Sequence, residues 1–460
     1  MIGNGQTNLL LGGVFIKNSM TRFFRGLLPA ALLFVLGNCP YLAAEAITGR
    51  EALQYFQEAD AITRADGGAL WGVSLGGGLL LVDPTTRIAY ANQPDPQGRL
   101  ARVGPVLRGE IPMDVNLANT ALDWAGSKWS MILLPLPPER EKRATLLLHE
   151  LWHRVQDQIG LPASAAANHH LDTRDGRYWL QLEWRALAAA LAAEGAERTR
   201  AITDAALFRE RRRAIFPGAA VEENAMEMHE GLAEYTGVKL SGAPDLAKFV
   251  IDGELKGAPS KETFVRSFAY ANGPAYGLLL DAAGASWRER LDPKTDLAAT
   301  LLQAARIKLP PNGTSAAEER ARGYGSGSLA AQEDKREKMR RALMAEYRAR
   351  LVEGAVLQIP LRQMSMQFDP GNLVPLESLG TVYPNIRVVD DWGILTVAEG
   401  GALLRADFSQ ITLSQPKNST PPALAGEGWT LELKPGWSIA PGKRKGDFIL
   451  QPSTAPSAQP

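Results

Sequence analysis

Apolar residues recur at intervals of three and four along residues 140–159, where Leu147, Leu148, Leu151, Trp152, Val155 and Ile159 form one stripe, the period of an amphipathic helix. Pro137 and Pro138 suit its start, Glu139 and Glu141 sit where the helix dipole favours acids, and Gly160 supplies a C-terminal cap. The same period predicts helices over 51–61, 176–195, 222–237, 267–281 and 331–352. Runs rich in apolar, β-branched and aromatic residues predict strands at 71–82, 87–91 and 128–134, and again at 356–366, 386–389, 393–397, 410–413, 429–433 and 447–450. The fold class read from this order is α+β, with a mixed lead-in at 47–135, a helical region at 136–310 and an antiparallel β-domain at 354–451. Between the last two, 311–353 reads as a flexible Gly/Ser loop followed by a solvated, charged connector helix. The Pro/Ser-rich tail, 452–460, reads as disordered, and no internal repeat is apparent.

Residues 149–153 spell HELWH in a chain with 5 histidines. On a helix, positions i and i+4 share a face, so His149 and His153 can both reach one zinc ion while Glu150 reaches a water on that ion. The chemistry this implies is metal-assisted hydrolysis with Glu150 as general base. The bland alternative is a pair of histidines satisfied by ordinary hydrogen bonds. A third ligand is available in 222–237, EENAMEMHEGLAEYTG, which sets carboxylates in a largely apolar helical pattern. Glu183 in the 176–195 helix competes for that role, or else pairs with Arg185 or Arg177. His229 reads as pointing off the ligand face, and His169 and His170 as a solvated loop pair. The longer HExxHxxGxxH signature is absent, since Gln156 and Ile159 occupy its glycine and third-histidine positions. The strand at 128–134 is either an edge strand able to pair with an extended peptide or a buried sheet strand.

HELWH followed by EGLAEY resembles the gluzincins, the zinc metallopeptidases that include thermolysin and aminopeptidase N. The resemblance covers residues 128–283. It implies a zincin-like core over 47–310, one Zn²⁺ per chain held by His149, His153 and Glu230, and a peptide or protein substrate. Glu234 stands where the thermolysin branch has an aspartate that hydrogen-bonds a ligand histidine, so it would orient His149 or His153. Tyr270, in Tyr270-Ala271-Asn272-Gly273, is similar to the tyrosine that aminopeptidase N relatives carry after the ligand glutamate. That gives it the role of oxyanion donor, with core packing of Tyr270 and Tyr276 as the alternative. No Gly-x-Met-Glu-Asn segment precedes His149, so the resemblance points to an endopeptidase.

Composition narrows the setting. Of 460 residues, 45% are hydrophobic and 22% charged, with net charge +0, which suits a multidomain globular protein and argues against nucleic acid as a partner. The Arg-rich stretch 209–213 reads as a solvated helix face. Residues 20–46 have the basic start, apolar run and small-residue end of a signal peptide, placing the protein in the periplasm or outside the cell. Cleavage after Ala46 would remove Cys39, the single cysteine. No second stretch is long enough to span a membrane. Trp392, Trp429 and Trp437 read as core of the β-domain. A second functional class stays open: a zinc-stabilised envelope binding or assembly factor without proteolysis.

Overall fold

The first helix, α1 (Gly49–Asp66), starts at Thr48, whose hydroxyl accepts the Glu51 amide while the Glu51 carboxylate accepts the Thr48 amide, a reciprocal cap. In the computed structural model, which describes residues 47–163, 166–284, 286–369, 371–417 and 422–453, this helix packs beside a six-stranded sheet. Its strands are β1 (Leu79–Val82), β2 (Ile88–Ala91), β3 (Ala101–Val103), β4 (Val106–Glu110), β5 (Thr120–Trp124) and β6 (Ser127–Leu133), in the order β3-β4-β2-β1-β6-β5. Only the pairing of β1 with β6 is parallel. The strand expected over 71–82 is confined to its last four residues, because Arg154 draws the carbonyls of Leu75 and Gly76 away from any ladder. The edge-strand reading of 128–134 is also corrected. β6 lies between β1 and β5 with Trp129 to Ile132 buried, and β5 is the outer strand.

The HELWH helix α2 (Arg140–Val155) lays its predicted apolar stripe on this sheet, with Leu147, Leu148, Leu151, Trp152 and Val155 buried. A short 3-10 turn, Gln156–Ile159, follows and ends at Gly160 with φ 77°. Then come α3 (Arg174–Ala192), α4 (Gly195–Ile215), α5 (Ala219–Met226), α6 (Leu232–Leu240), the one-turn α7 (Leu246–Phe249), α8 (Ser267–Ala282) and α9 (Leu297–Ala304). Between α5 and α6 the chain makes a π-turn, Glu227–Gly231. Glycines let these helices touch backbone to backbone. A Cβ on Gly237 would lie 2.4 Å from the Thr145 carbonyl of α2, and one on Gly273 of α8 would lie 2.0 Å from the Gly231 carbonyl. Gly273→Ala is therefore expected to push α8 off the π-turn, at a cost of about 1–3 kcal/mol for overpacking, read as a lower denaturation midpoint.

Residues 313–328 are helical rather than a flexible loop: α10 (Gly313–Ala321) and α11 (Ser326–Arg348) meet at Gly325, whose φ of 71° makes the corner. The helix α11 is solvated over most of its surface, as expected, and packs by one narrow face. Arg177 of α3 bonds Glu333 and Glu337 in a buried ion cluster, and Leu329 is fully enclosed.

The Arg-rich stretch of α4 is likewise corrected from solvated to buried. Arg209 and Arg212 are 1% and 0% exposed. Arg209 bonds Glu183 and Glu227, and Arg212 bonds Glu183 and Glu223. Arg213 reaches Glu223 and Asp296, so each inward guanidinium meets carboxylates, as burial of charge demands. His170 joins this network through Glu223 at 2.8 Å and packs on Phe216, so it is no solvated loop residue.

Residues 356–452 form two further sheets. The strands are β7 (Val356–Pro360), β8 (Ser365–Phe368), β9 (Val374–Pro375), β10 (Thr381–Tyr383), β11 (Ile386–Asp390), β12 (Gly393–Val397), β13 (Ala402–Leu404), β14 (Gln410–Ser414), β15 (Ala423–Ala425), β16 (Trp429–Leu433), β17 (Trp437–Pro441) and β18 (Phe448–Pro452). Their orders are β17-β18-β7-β14-β13-β10-β9 and β15-β16-β12-β11-β8, antiparallel throughout except for β18 with β7. Trp392 and Trp429 are buried between the sheets and Trp437 packs at their margin. The expected tail begins inside a strand at Pro452. Its remainder from 454, the proposed signal segment and Cys39 lie outside the described residues. Among the described residues no helix is long and apolar enough to cross a membrane.

Candidate metal centre

His149 and His153 leave α2 on the face turned toward α6 and α8, one helical turn apart. Their Nε2 atoms are 3.1 Å from each other, and Glu230 Oε2 lies 3.4 Å from the first and 3.7 Å from the second. The three ligand atoms all fall within 4.8 Å of one another. A tetrahedral zinc with ligands at about 2.0–2.1 Å spaces its donors about 3.3 Å apart, so the donor set and its dimensions fit that ion.

The outer ring nitrogens decide what faces inward. His149 Nδ1 is 2.8 Å from Glu234 Oε2, and His153 Nδ1 is 2.9 Å from Gln156 Oε1. A carboxylate and an amide oxygen only accept, so both Nδ1 atoms carry the protons and donate. In the neutral rings both Nε2 lone pairs then converge on the same point as the Glu230 oxygen. Three acceptors at these separations need a metal cation or a ring proton between them; burial opposes that proton on His149, but Glu230 and Glu234 outweigh it and raise the imidazole well above its ordinary value. Neutral tautomers fixed from behind in this way are also the form that binds metal.

Glu230 is carried by the π-turn Glu227–Gly231 and is 3% exposed. Burial works against its charge, but the Arg266 guanidinium, first among the opposing groups, outweighs it and holds its carboxyl well below the usual range. Arg266 bonds Oε1, while the Tyr270 hydroxyl donates to Oε2 at 2.5 Å. The Tyr270 ring lies parallel to His149, centroids 5.3 Å apart. The structure thus places Tyr270 against the ligand set, not in the core with Tyr276, whose hydroxyl bonds Glu183. Glu150 is 3% exposed, its Oε2 has no hydrogen-bond partner, and burial pushes its carboxyl up. Such an orphaned acceptor is costly unless it has a use.

Glu183 is excluded as a ligand here, because both of its oxygens are taken by Arg209, Arg212 and Tyr276. His229 does not point away as expected: its Nε2 is 3.2 Å from Glu230 Oε1 and its Nδ1 shares Gln156 Oε1 with His153. The widened π-turn keeps these consecutive side chains on one side. Gln156, Arg266 and His229 were thus missed as members of the site. Glu254, half-buried on the π-turn Val250–Leu255, has its carboxyl pushed up to about 8 by burial and by neighbouring Glu234. Comparison of the chain with protein-family models, curated proteins and solved structures finds no match.

Proposed function

We propose that the chain is a zinc-dependent metallopeptidase of gluzincin type, acting as an endopeptidase. The observation that carries this reading is the convergence of His149 Nε2, His153 Nε2 and Glu230 Oε2, each oriented from behind, beside a buried carboxylate that has no partner. A Zn²⁺ held by His149, His153 and Glu230 would supply Lewis acidity and a water nucleophile near neutral pH. Glu150 accepts the proton of the attacking water and passes it to the leaving amine. Its raised affinity for a proton, caused first by burial, suits both steps. Tyr270, whose hydroxyl lies against Glu230 on the side of the two histidines, would offer it to the developing oxyanion. Arg266 keeps Glu230 ionised and therefore a ligand. The substrate is a peptide or protein, and the signal-like start would put the reaction outside the cytoplasm.

Peptide chemistry is favoured over other hydrolysis by the outer strand. β5 ends the sheet directly beside the motif helix, and a free strand edge recognises an extended backbone. The non-proteolytic reading, a zinc-stabilised binding factor, is disfavoured by Glu150. A purely structural zinc site fills its fourth position with a protein ligand, whereas this carboxylate approaches without closing the shell.

The orienting residues give a direct test. Glu234→Ala removes the acceptor behind His149, and such losses typically weaken metal affinity 10- to 100-fold. Competition with a zinc chelator of known affinity should show that shift, while Gln156→Ala should show a smaller one of the same sign. Unchanged affinity in both would mean that the histidines bind no metal.

A further inference from the structure

Glu230 reaches the metal centre from an irregular stretch of the helical core. The Leu232 amide bonds the Glu227 carbonyl five residues back, so the turn Glu227–Gly231 holds one residue more than an α-helical turn. Each residue advances a helix by about 100°, so the extra residue sets the direction in which Glu230 points. Turns of this kind are rare and cluster at functional sites. Their register needs support from outside the helix.

Both ends of this turn have such support. At its start the Glu227 side chain, fully buried, lies in a pincer. Arg209 of α4 donates to its two oxygens at 2.7 and 2.5 Å, and Asn272 Nδ2 of α8 donates to Oε1 at 2.8 Å. Asn272 is held in turn by Trp184 Nε1, which donates to its Oδ1 at 2.8 Å. A planar guanidinium that grips both oxygens of a carboxylate fixes direction as well as distance. At the far end Gly231 lies against α8, where a Cβ on it would be 3.1 Å from Gly273 Cα and 3.2 Å from the Ala269 carbonyl oxygen. Glu230 stands between these two anchors.

Glu227 supplies none of the three atoms that could hold a metal. Glu183 provides a contrast within the same cluster. It is also fully buried, accepts from Arg209 at 3.1 Å and from Asn272 at 3.4 Å, but it belongs to α3 and not to the turn. Loss of either carboxylate takes one negative charge from the same arginine, whereas only loss of Glu227 frees the turn.

Resting on the metal centre alone and not on peptide hydrolysis, we propose that Glu227 is a positioning residue: gripped by Arg209 and Asn272, it holds the π-turn in the register that aims Glu230 at His149 and His153. Without that grip the extra residue can pass into a neighbouring helix, and Glu230 turns off the two imidazoles.

The test measures zinc affinity of the full mature chain by competition with a chelator of known affinity, in wild type, Glu227→Gln and Glu183→Gln, well below the unfolding range of each. Both substitutions should lower the denaturation midpoint. Glu227→Gln should also weaken zinc at least about tenfold, the lower end for groups that orient a ligand, while Glu183→Gln binds zinc as wild type does. Cobalt(II) in place of zinc reads the ligand set directly. Its visible absorption should move toward that of Glu230→Ala in Glu227→Gln and stay at wild type in Glu183→Gln, a split that lost stability alone does not produce. Asn272→Ala removes one arm of the pincer and keeps the ion pair, so it should weaken zinc by less and in the same sense; it decides the matter if Glu227→Gln does not fold. Equal affinities and equal cobalt spectra in the two glutamine variants, or unchanged affinity in Asn272→Ala, overturn the role of Glu227 and leave the metal centre standing if Glu230→Ala still loses zinc. A wild type that binds no zinc overturns the metal centre and the role of Glu227 with it.

Discussion

Glu150→Gln should retain stoichiometric zinc and lose hydrolysis by about 10²- to 10⁴-fold, the usual contribution of a positioned general base. Glutamine keeps the size of the side chain but accepts no proton. None of the three atoms that could hold a metal belongs to Glu150, and its Oε2 bonds nothing that would collapse on substitution. Fold and metal content should therefore match wild type while turnover of a peptide library falls. A variant that cuts at the wild-type rate would remove Glu150 from the mechanism, and with it the strongest reason to prefer an enzyme over a binding factor.

The second large effect concerns stability. Glu183→Ala takes away the carboxylate shared by Arg209 and Arg212, which are fully buried. Breaking a buried ion pair from one side typically costs about 3–5 kcal/mol, and the loss here lies toward the lower figure, because Glu227 and Glu223 still pair with the two guanidiniums while the network is left one negative charge short. The loss should appear as a lower denaturant midpoint with zinc content unchanged. Glu183→Met with Arg212→Met should recover much of it, since an apolar pair leaves fewer buried charges unpaired. The network also predicts acid behaviour. Burial opposes ionisation of Asp296, but Arg209 and Arg213 outweigh it and hold its carboxyl at about 2. A carboxyl depressed in the folded state stabilises the fold above its unfolded value, near 4, and that contribution fades as pH falls from there toward 2. Acid titration followed by circular dichroism reads this window.

The HELWH helix was legible in sequence because its apolar stripe and its two histidines share one helix and one period. Glu234 was legible as an orienting residue for a similar reason, lying one turn beyond Glu230. Its choice of His149 over His153 needed three-dimensional placement. His229 was misplaced because α-helical spacing was assumed where the chain makes a π-turn. Gln156 and Arg266 carry no spacing signal. The first lies in the turn that ends α2, and the second precedes α8, 36 residues from the glutamate it bonds. The Arg-rich run was read as solvated because its carboxylate partners are up to 83 residues away along the chain. A charge run in one dimension gives no hint of distant counter-charges. The glycines of 323–328 suggested looseness, but one of them only makes the corner between two helices.

The most direct measurement is the zinc content of the purified mature chain after dialysis, for wild type, Glu230→Ala and Glu183→Ala. One zinc per chain in wild type and in Glu183→Ala, with none retained in Glu230→Ala, is the expected result. Zinc kept by Glu230→Ala and lost from Glu183→Ala, or no zinc in any of the three, would contradict a centre built from His149, His153 and Glu230.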